Sequence, residues 1–191
     1  MGLIFHNRLV YLIGFIVALF VSCNDASYEL DNPDDPENLG LDPPAIFFHP
    51  AELNLKVGAT ASFELYCYEV PDAAGAHLQI EYDAEVITIF DVEYGDFFKN
   101  GSSDSDPIML TDPPLPFSGQ QNGTLNIYLF YKPSLSSVSA AGTMSMAEIF
   151  FTVKDEGSAP IRYTNNTVLR DANNNSIILN KFGEGSINAT Q

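Results

Sequence analysis

From Pro44 onward the chain consists of short apolar runs of period two separated by turn residues, and that pattern confines it to β-sheets. Ala76–Tyr82 sets Ala76, Leu78, Ile80 and Tyr82 against His77, Gln79 and Glu81. Thr124–Tyr131 sets Leu125, Ile127 and Leu129 against Asn126, Tyr128 and Phe130, and Ala147–Lys154 turns Ile149, Phe151 and Val153 inward. Shorter runs lie at 45–49, 53–57, 60–70, 86–93, 160–163, 167–170 and 177–180. Val57-Gly58, Pro71–Gly75 and Tyr94–Asp96 punctuate them, and residues 99–123, rich in Ser, Asp, Pro and Gly, read as one long loop. No segment here keeps a helical period over ten residues. About nine strands in about 145 residues predict an all-β fold, an antiparallel two-sheet β-sandwich of jelly-roll or Greek-key type. A parallel sheet would need crossover helices that the pattern leaves no room for.

The N-terminus follows different rules. Arg8 precedes a 13-residue apolar core, Leu9–Val21, and the small Ser22 follows it, which is the layout of a secretory signal. The core is shorter than the roughly 18–20 apolar residues that span a bilayer. Leu19-Phe-Val-Ser-Cys23 resembles a bacterial lipoprotein signal, with Phe20 where an aliphatic residue is usual. The resemblance implies removal of residues 1–22 and lipidation of Cys23; the alternative is an ordinary signal beside an incidental cysteine. Residues 24–43 carry seven acids and no base, so the segment 23–43 is expected to be a disordered tether. It also resembles the acidic export signals of surface lipoproteins in some Gram-negative phyla. The expected organisation is a signal (1–22), a lipidated tether (23–43) and one domain (44–191), anchored to the cell envelope at the outer membrane and displayed on the surface.

Charge narrows the partners. Loss of the signal leaves 169 residues with 7 bases against 25 acids, a net of −18. Such a chain repels phosphate backbones and anionic headgroups, so nucleic acid is excluded as a partner and membrane contact is left to the acyl chains. With Cys23 lipidated, Cys67 is alone, and it shares its alternating face with Phe63 and Leu65. It reads as a small core hydrophobe, because a reactive thiol needs a basic neighbourhood that is missing here.

Several segments taken in order resemble the cohesin family. They are Val57-Gly-Ala-Thr-Ala-Ser-Phe-Glu-Leu65, Gly75-Ala-His-Leu-Gln-Ile-Glu-Tyr-Asp83, Val86–Phe97 with Tyr94-Gly-Asp-Phe97, Gly123-Thr-Leu-Asn-Ile127, Ala147–Lys154 and Leu169–Ser176. The resemblance spans about residues 44–188 and implies jelly-roll topology. It further implies a non-catalytic module that holds a dockerin-like protein on the outer face of one sheet, in assemblies linked to polysaccharide processing. Gly75 and His77 stand where well-studied members tend to show Asn and Asp. By alternation, the corresponding face carries His77, Gln79 and Glu81 beside Asn126, Tyr128 and Phe130, which are the candidate partner contacts. Either these aromatics form an exposed patch, or loop 99–123 covers Tyr128 and Phe130 and they extend the core. Direct glycan binding is the competing function, and a structural lipoprotein without a family ligand is the third.

Catalytic patterns are lacking. Neither His49 nor His77 sits in a metal-ligand spacing, and there is no phosphate-cradling glycine loop or nucleophile elbow. Most carboxylates fall in the tether, at turns or on outward positions, and no cofactor is expected. Asp171, Asn173 and Asn175 place oxygens at alternate turn positions and form a candidate calcium site. Ser176 and Phe182 stand where an EF-hand would need glycine and an acid, and Asx residues close such turns without any metal.

Overall fold

A computed structural model describes residues 39–99, 107–115, 122–131 and 138–191. The signal, Cys23, most of the tether and parts of the long loop lie outside the described residues. Among those described are twelve strands: β1 (Ala45–His49), β2 (Glu52–Lys56), β3 (Thr60–Tyr82), β4 (Ile87–Tyr94), β5 (Ile108–Asp112), β6 (Thr124–Phe130), β7 (Ala140–Val153), β8 (Gly157–Tyr163), β9 (Val168–Asp171), β10 (Ser176–Ile177), β11 (Lys181–Phe182) and β12 (Gly185–Thr190). One short helix, α1 (Asp96–Lys99), turns Phe97 and Phe98 into the core.

The strands form two layers on either side of one core. The first layer runs β11–β1–β3–β7–β4, using the N-terminal half of β3. The second runs β5–β6–β3 and continues past the C-terminal half of β3 to β8 and β9, with β12 and β2 beyond β8 and β10 beside β9.

β3 belongs to both layers, and its burial shows how it crosses between them. Phe63, Leu65 and Cys67 point inward at every second residue, then Val70, Ala73 and Ala76 at every third, then Leu78, Ile80 and Tyr82 at every second again. Glu69 (φ 47°) and Asp72 (φ 36°) are left-handed, and the pairing with β7 slips between Cys67 and Val70 and again between Val70 and Ala73. Each bulge adds an unpaired residue and bends the strand, so Pro71, which lacks an N–H, is tolerated where the sequence pattern implied a break.

Several strands depart from the sequence reading. β5 lies inside the expected loop 99–123, and β7 begins seven residues before Ala147. Of the expected last run, 177–180, only Ile177 is in a strand, and β11 and β12 follow it. β12 pairs with β2, and β11 with β1, in parallel. No crossover helix is needed, because most of the sandwich separates the paired strands in the chain.

The inner faces fill one cluster that includes Phe48, Phe63, Leu78, Ile80, Ile127, Phe151 and Ile187. Phe48 stacks on Tyr163 at 4.4 Å and Phe63 on Phe151 at 5.5 Å. Cys67 lies wholly inside, its thiol donating to the Met144 carbonyl at 3.2 Å, and burial pushes its pKa up to about 12. It is therefore a protonated core residue. A second, smaller cluster sits on the outside of the first layer, where Leu41, Ala45 and Phe47 pack with Leu39, Tyr66 and Tyr68. The packed residues thus include part of the segment that the sequence pattern assigned to the tether.

Candidate functional site

The outer face of the second layer is built by period two and pairing register alone. β3 and β6 run antiparallel with Gly75 opposite Phe130, His77 opposite Tyr128, Gln79 opposite Asn126 and Glu81 opposite Thr124. Because Ala76, Leu78, Ile80, Leu125, Ile127 and Leu129 are buried, His77, Gln79, Glu81, Asn126, Tyr128 and Phe130 all project from one outer face. All six candidates therefore share one face, with His77–Tyr128 and Gln79–Asn126 directly paired, Phe130 at one end and Glu81 at the other.

The described part of the long loop flanks this face. β5 pairs with β6, setting Ile108 beside Phe130, Leu110 beside Tyr128 and Asp112 beside Asn126. On the other flank β9 sets Val168 opposite His77 and Arg170 opposite Gly75. Tyr128 and Phe130 are half-buried, while Leu110 is 56% exposed at the edge. A Cβ at position 75 would stand 3.3 Å from the Cβ of Phe130, so glycine there makes room for the ring across the strand pair.

Hydrogen bonds hold the polar members in place. Gln79 is the hub: its Nε2 donates to Asn126 Oδ1 at 2.9 Å, and its Oε1 accepts from Thr164 Oγ1 at 2.7 Å and Asn166 Nδ2 at 2.8 Å. Its backbone N–H donates to Thr167 Oγ1 at 3.0 Å, and its carbonyl accepts from the Thr164 N–H at 2.9 Å. The turn at residues 164–167, between β8 and β9, thus wraps around Gln79 from the side. His77 Nε2 also meets Asn126 Oδ1 at 2.9 Å, and the imidazole stacks on Tyr128 with centroids 4.5 Å apart and planes 11° apart. Side chains fixed in this way lose little conformational entropy when a partner arrives.

Sequence reasoning overlooked Ile108, Leu110, Val168 and the 164–167 turn. The run Ile108-Met-Leu110 between Pro107 and Pro113 was a usable signal for β5, whereas the approach of the turn to Gln79 depends on tertiary structure.

The candidate calcium residues make a tight turn at the end of β9. Asp171 Oδ1 accepts the N–H groups of Asn173 at 2.9 Å and Asn175 at 2.8 Å, and Oδ2 accepts Asn175 Nδ2 at 2.9 Å. The Asn175 side-chain amide, with the turn N–H groups, holds the Asp171 carboxyl below its ordinary range. Both carboxylate oxygens are engaged in closing the turn. Among the described residues no group of three or more His, Cys, Asp or Glu side chains is placed to hold a metal ion.

Comparison with known proteins supplies an independent view. A family model for the cohesin domain matches residues 50–189. Among solved structures, a non-cellulosomal cohesin from Archaeoglobus fulgidus superposes with a TM-score of 0.57 at 13% identity, covering 77% of this chain and 91% of that one. A type II cohesin from Acetivibrio cellulolyticus gives 0.59 at 16% identity, covering 75% and 94%. A type I cohesin–dockerin complex from Clostridium thermocellum gives 0.57 at 16% identity, covering 76% and 98%. At these identities the structural likeness speaks for the fold, and no curated protein matches.

Proposed function

Because the chain belongs to the cohesin domain family, we propose that it is a non-catalytic receptor module that captures a dockerin-type protein on the outer face of its second layer. The observation that carries this reading is the preformed patch of His77, Gln79, Asn126, Tyr128 and Phe130, whose polar groups are bonded to one another while the aromatic rings and Leu110 supply apolar area. Buried aromatic anchors ringed by fixed polar groups are the usual composition of an interface centre. Glu81 and Asp112 give the patch an acidic rim.

The wider setting belongs to the same proposal. Lipidation at Cys23 would hold the module on the outside of the outer membrane, and its partner would be a component of a polysaccharide-processing assembly. Direct glycan binding is the less favoured reading, since the chain has no tryptophan to build an aromatic platform for sugar rings.

Binding of purified dockerin modules, together with capture from an envelope extract, tests the function. Tyr128→Ala and His77→Ala should each weaken capture. Unchanged affinity in both would rule out this face, and retention on a glycan array without protein capture would favour the glycan reading. Cys23→Ala should abolish labelling by a clickable fatty acid, and persistent labelling would sink the lipoprotein assignment.

A further inference from the structure

Residues 39–44 are fastened to the outside of the first layer. Leu41 is buried against Ala45 and Phe47, and Leu39, Tyr66 and Tyr68 pack around them. Register explains the patch: Ala45 stands opposite Tyr68 and Phe47 opposite Tyr66, while Ile46 and Leu65 point to the core. Asn180 ties the segment from the far end of the chain. Its backbone N–H donates to the Pro44 carbonyl at 2.8 Å and its side-chain amide to the Pro43 carbonyl at 2.6 Å. Beyond β11, the Gly183 N–H donates to the Ile46 carbonyl at 2.7 Å. A Cβ at Gly183 would lie 2.6 Å from that of Phe47, so only glycine allows so close an approach.

Tyr66 and Tyr68 point away from the core on the first layer, whereas His77 and Tyr128 point away from it on the second. The fastened segment and the patch therefore lie on opposite sides of the sandwich. We propose that residues 39–44 form a clasp that makes the chain join the domain on the side opposite the patch, so that attachment through the N-terminus leaves the patch open to a partner. The clasp stands on its own contacts; the benefit to a partner rests on the binding-face reading above.

The chain has no tryptophan, so Leu39→Trp in the full-length protein gives a unique reporter. We expect blue-shifted emission, and a roughly twofold rise in acrylamide quenching when Leu41→Asp or Asn180→Ala is added, with far-UV circular dichroism still reporting a folded sheet. A solvent-like reporter in the parent, or quenching unmoved by both substitutions in folded protein, would overturn the clasp. With the protein immobilised through its N-terminus, the parent should capture partner at its full solution capacity and the clasp variants at less. Equal capacity in all three would overturn the orienting role. If the reporter behaved as expected and no variant captured a partner in solution, the clasp would stand and the binding-face reading would fail.

Discussion

The patch on the second layer and the β3–β7–β4 part of the first layer's outer face are organised in opposite ways. On the second layer, Gln79 joins Asn126, Thr164 and Asn166, and His77 lies flat on Tyr128. On the first, Glu64, Glu148 and Glu93 stand abreast on β3, β7 and β4. The two ion pairs among the described residues, Lys99–Asp96 and Arg162–Glu184, involve none of the three. Phe90 is 44% exposed beside them, and its ring is 6.3 Å from that of Phe150. Like charges set directly opposite one another cost stability, and no ion pair offsets that repulsion within this row. What separates a candidate binding face from a merely wet one is thus the internal bonding of its side chains rather than the presence of aromatics or charge.

Truncating one ring on each face is the strongest test of that contrast. We predict that Tyr128→Ala weakens partner binding about 30-fold, equivalent to about 2 kcal/mol, because an anchor in the centre of an interface is lost. Phe150→Ala, on the outer face of the first layer, should leave affinity within about twofold. Titration calorimetry on both variants decides it, and an equal loss from Phe150→Ala would show that the wrong face was chosen.

The hub comes next. Gln79→Ala removes three side-chain hydrogen bonds and leaves Asn126, Thr164 and Asn166 to find water, at a cost of about 1–2 kcal/mol in stability and a drop of several degrees in melting temperature. An unshifted denaturation curve would mean that the network is not what holds the face in order.

The first layer should respond in the other direction. Glu148→Lys places a cation between Glu64 and Glu93 and should raise stability by about 0.5 kcal/mol, roughly 1–2 °C in melting temperature, at low salt. The gain should fade in 1 M salt, where exposed charges are screened within about 3 Å. Partner affinity should not change, and a weakened complex would mean that the glutamate row is itself part of the recognition surface.

The contrast between the faces also marks how far alternation in the sequence could be read. Strict period two in Leu125–Leu129 and in Ala76–Tyr82 was enough to sort core from surface, and parity alone placed His77 and Tyr128 on the same side. Parity fails where bulges intervene. Glu69 and Asp72 adopt left-handed backbone without being glycine, so nothing in the residues announced that Thr60–Tyr82 is a single strand crossing between layers. β12 has only Ile187 and Ala189 turned inward among small polar residues, too weak a signal beside the chain end. The bonding of Gln79 depends on a turn some 85 residues away, which local pattern cannot report. The clasp did leave a trace: Leu39 and Leu41 are the apolar residues closest to the domain in an otherwise acidic segment.

The smallest expected effect concerns the edge of the second layer. β9 lies against β3 beside the patch, and the Asp171 turn closes its far end, where Arg170 also donates to the Asn174 carbonyl at 2.9 Å. Hydrogen bonds from Asn175 and from the turn N–H groups depress the Asp171 pKa in the folded protein. A carboxyl with a depressed folded pKa contributes stability that is complete above its unfolded value, about 3.9, and disappears as pH falls through the folded value. Asp171→Asn should therefore melt slightly below the wild type at pH 6, and the two curves should converge as the pH falls through the depressed folded value. Since the carboxyl is fully exposed, solvent limits the difference to a small one. A gap that persisted unchanged at low pH would mean that the turn is held by its shape rather than by its charge. Adding calcium at pH 6 should leave the wild-type melting temperature where it is, because both carboxylate oxygens already serve the turn; a calcium-dependent rise lost in Asp171→Asn would instead make this edge of the face a cation site.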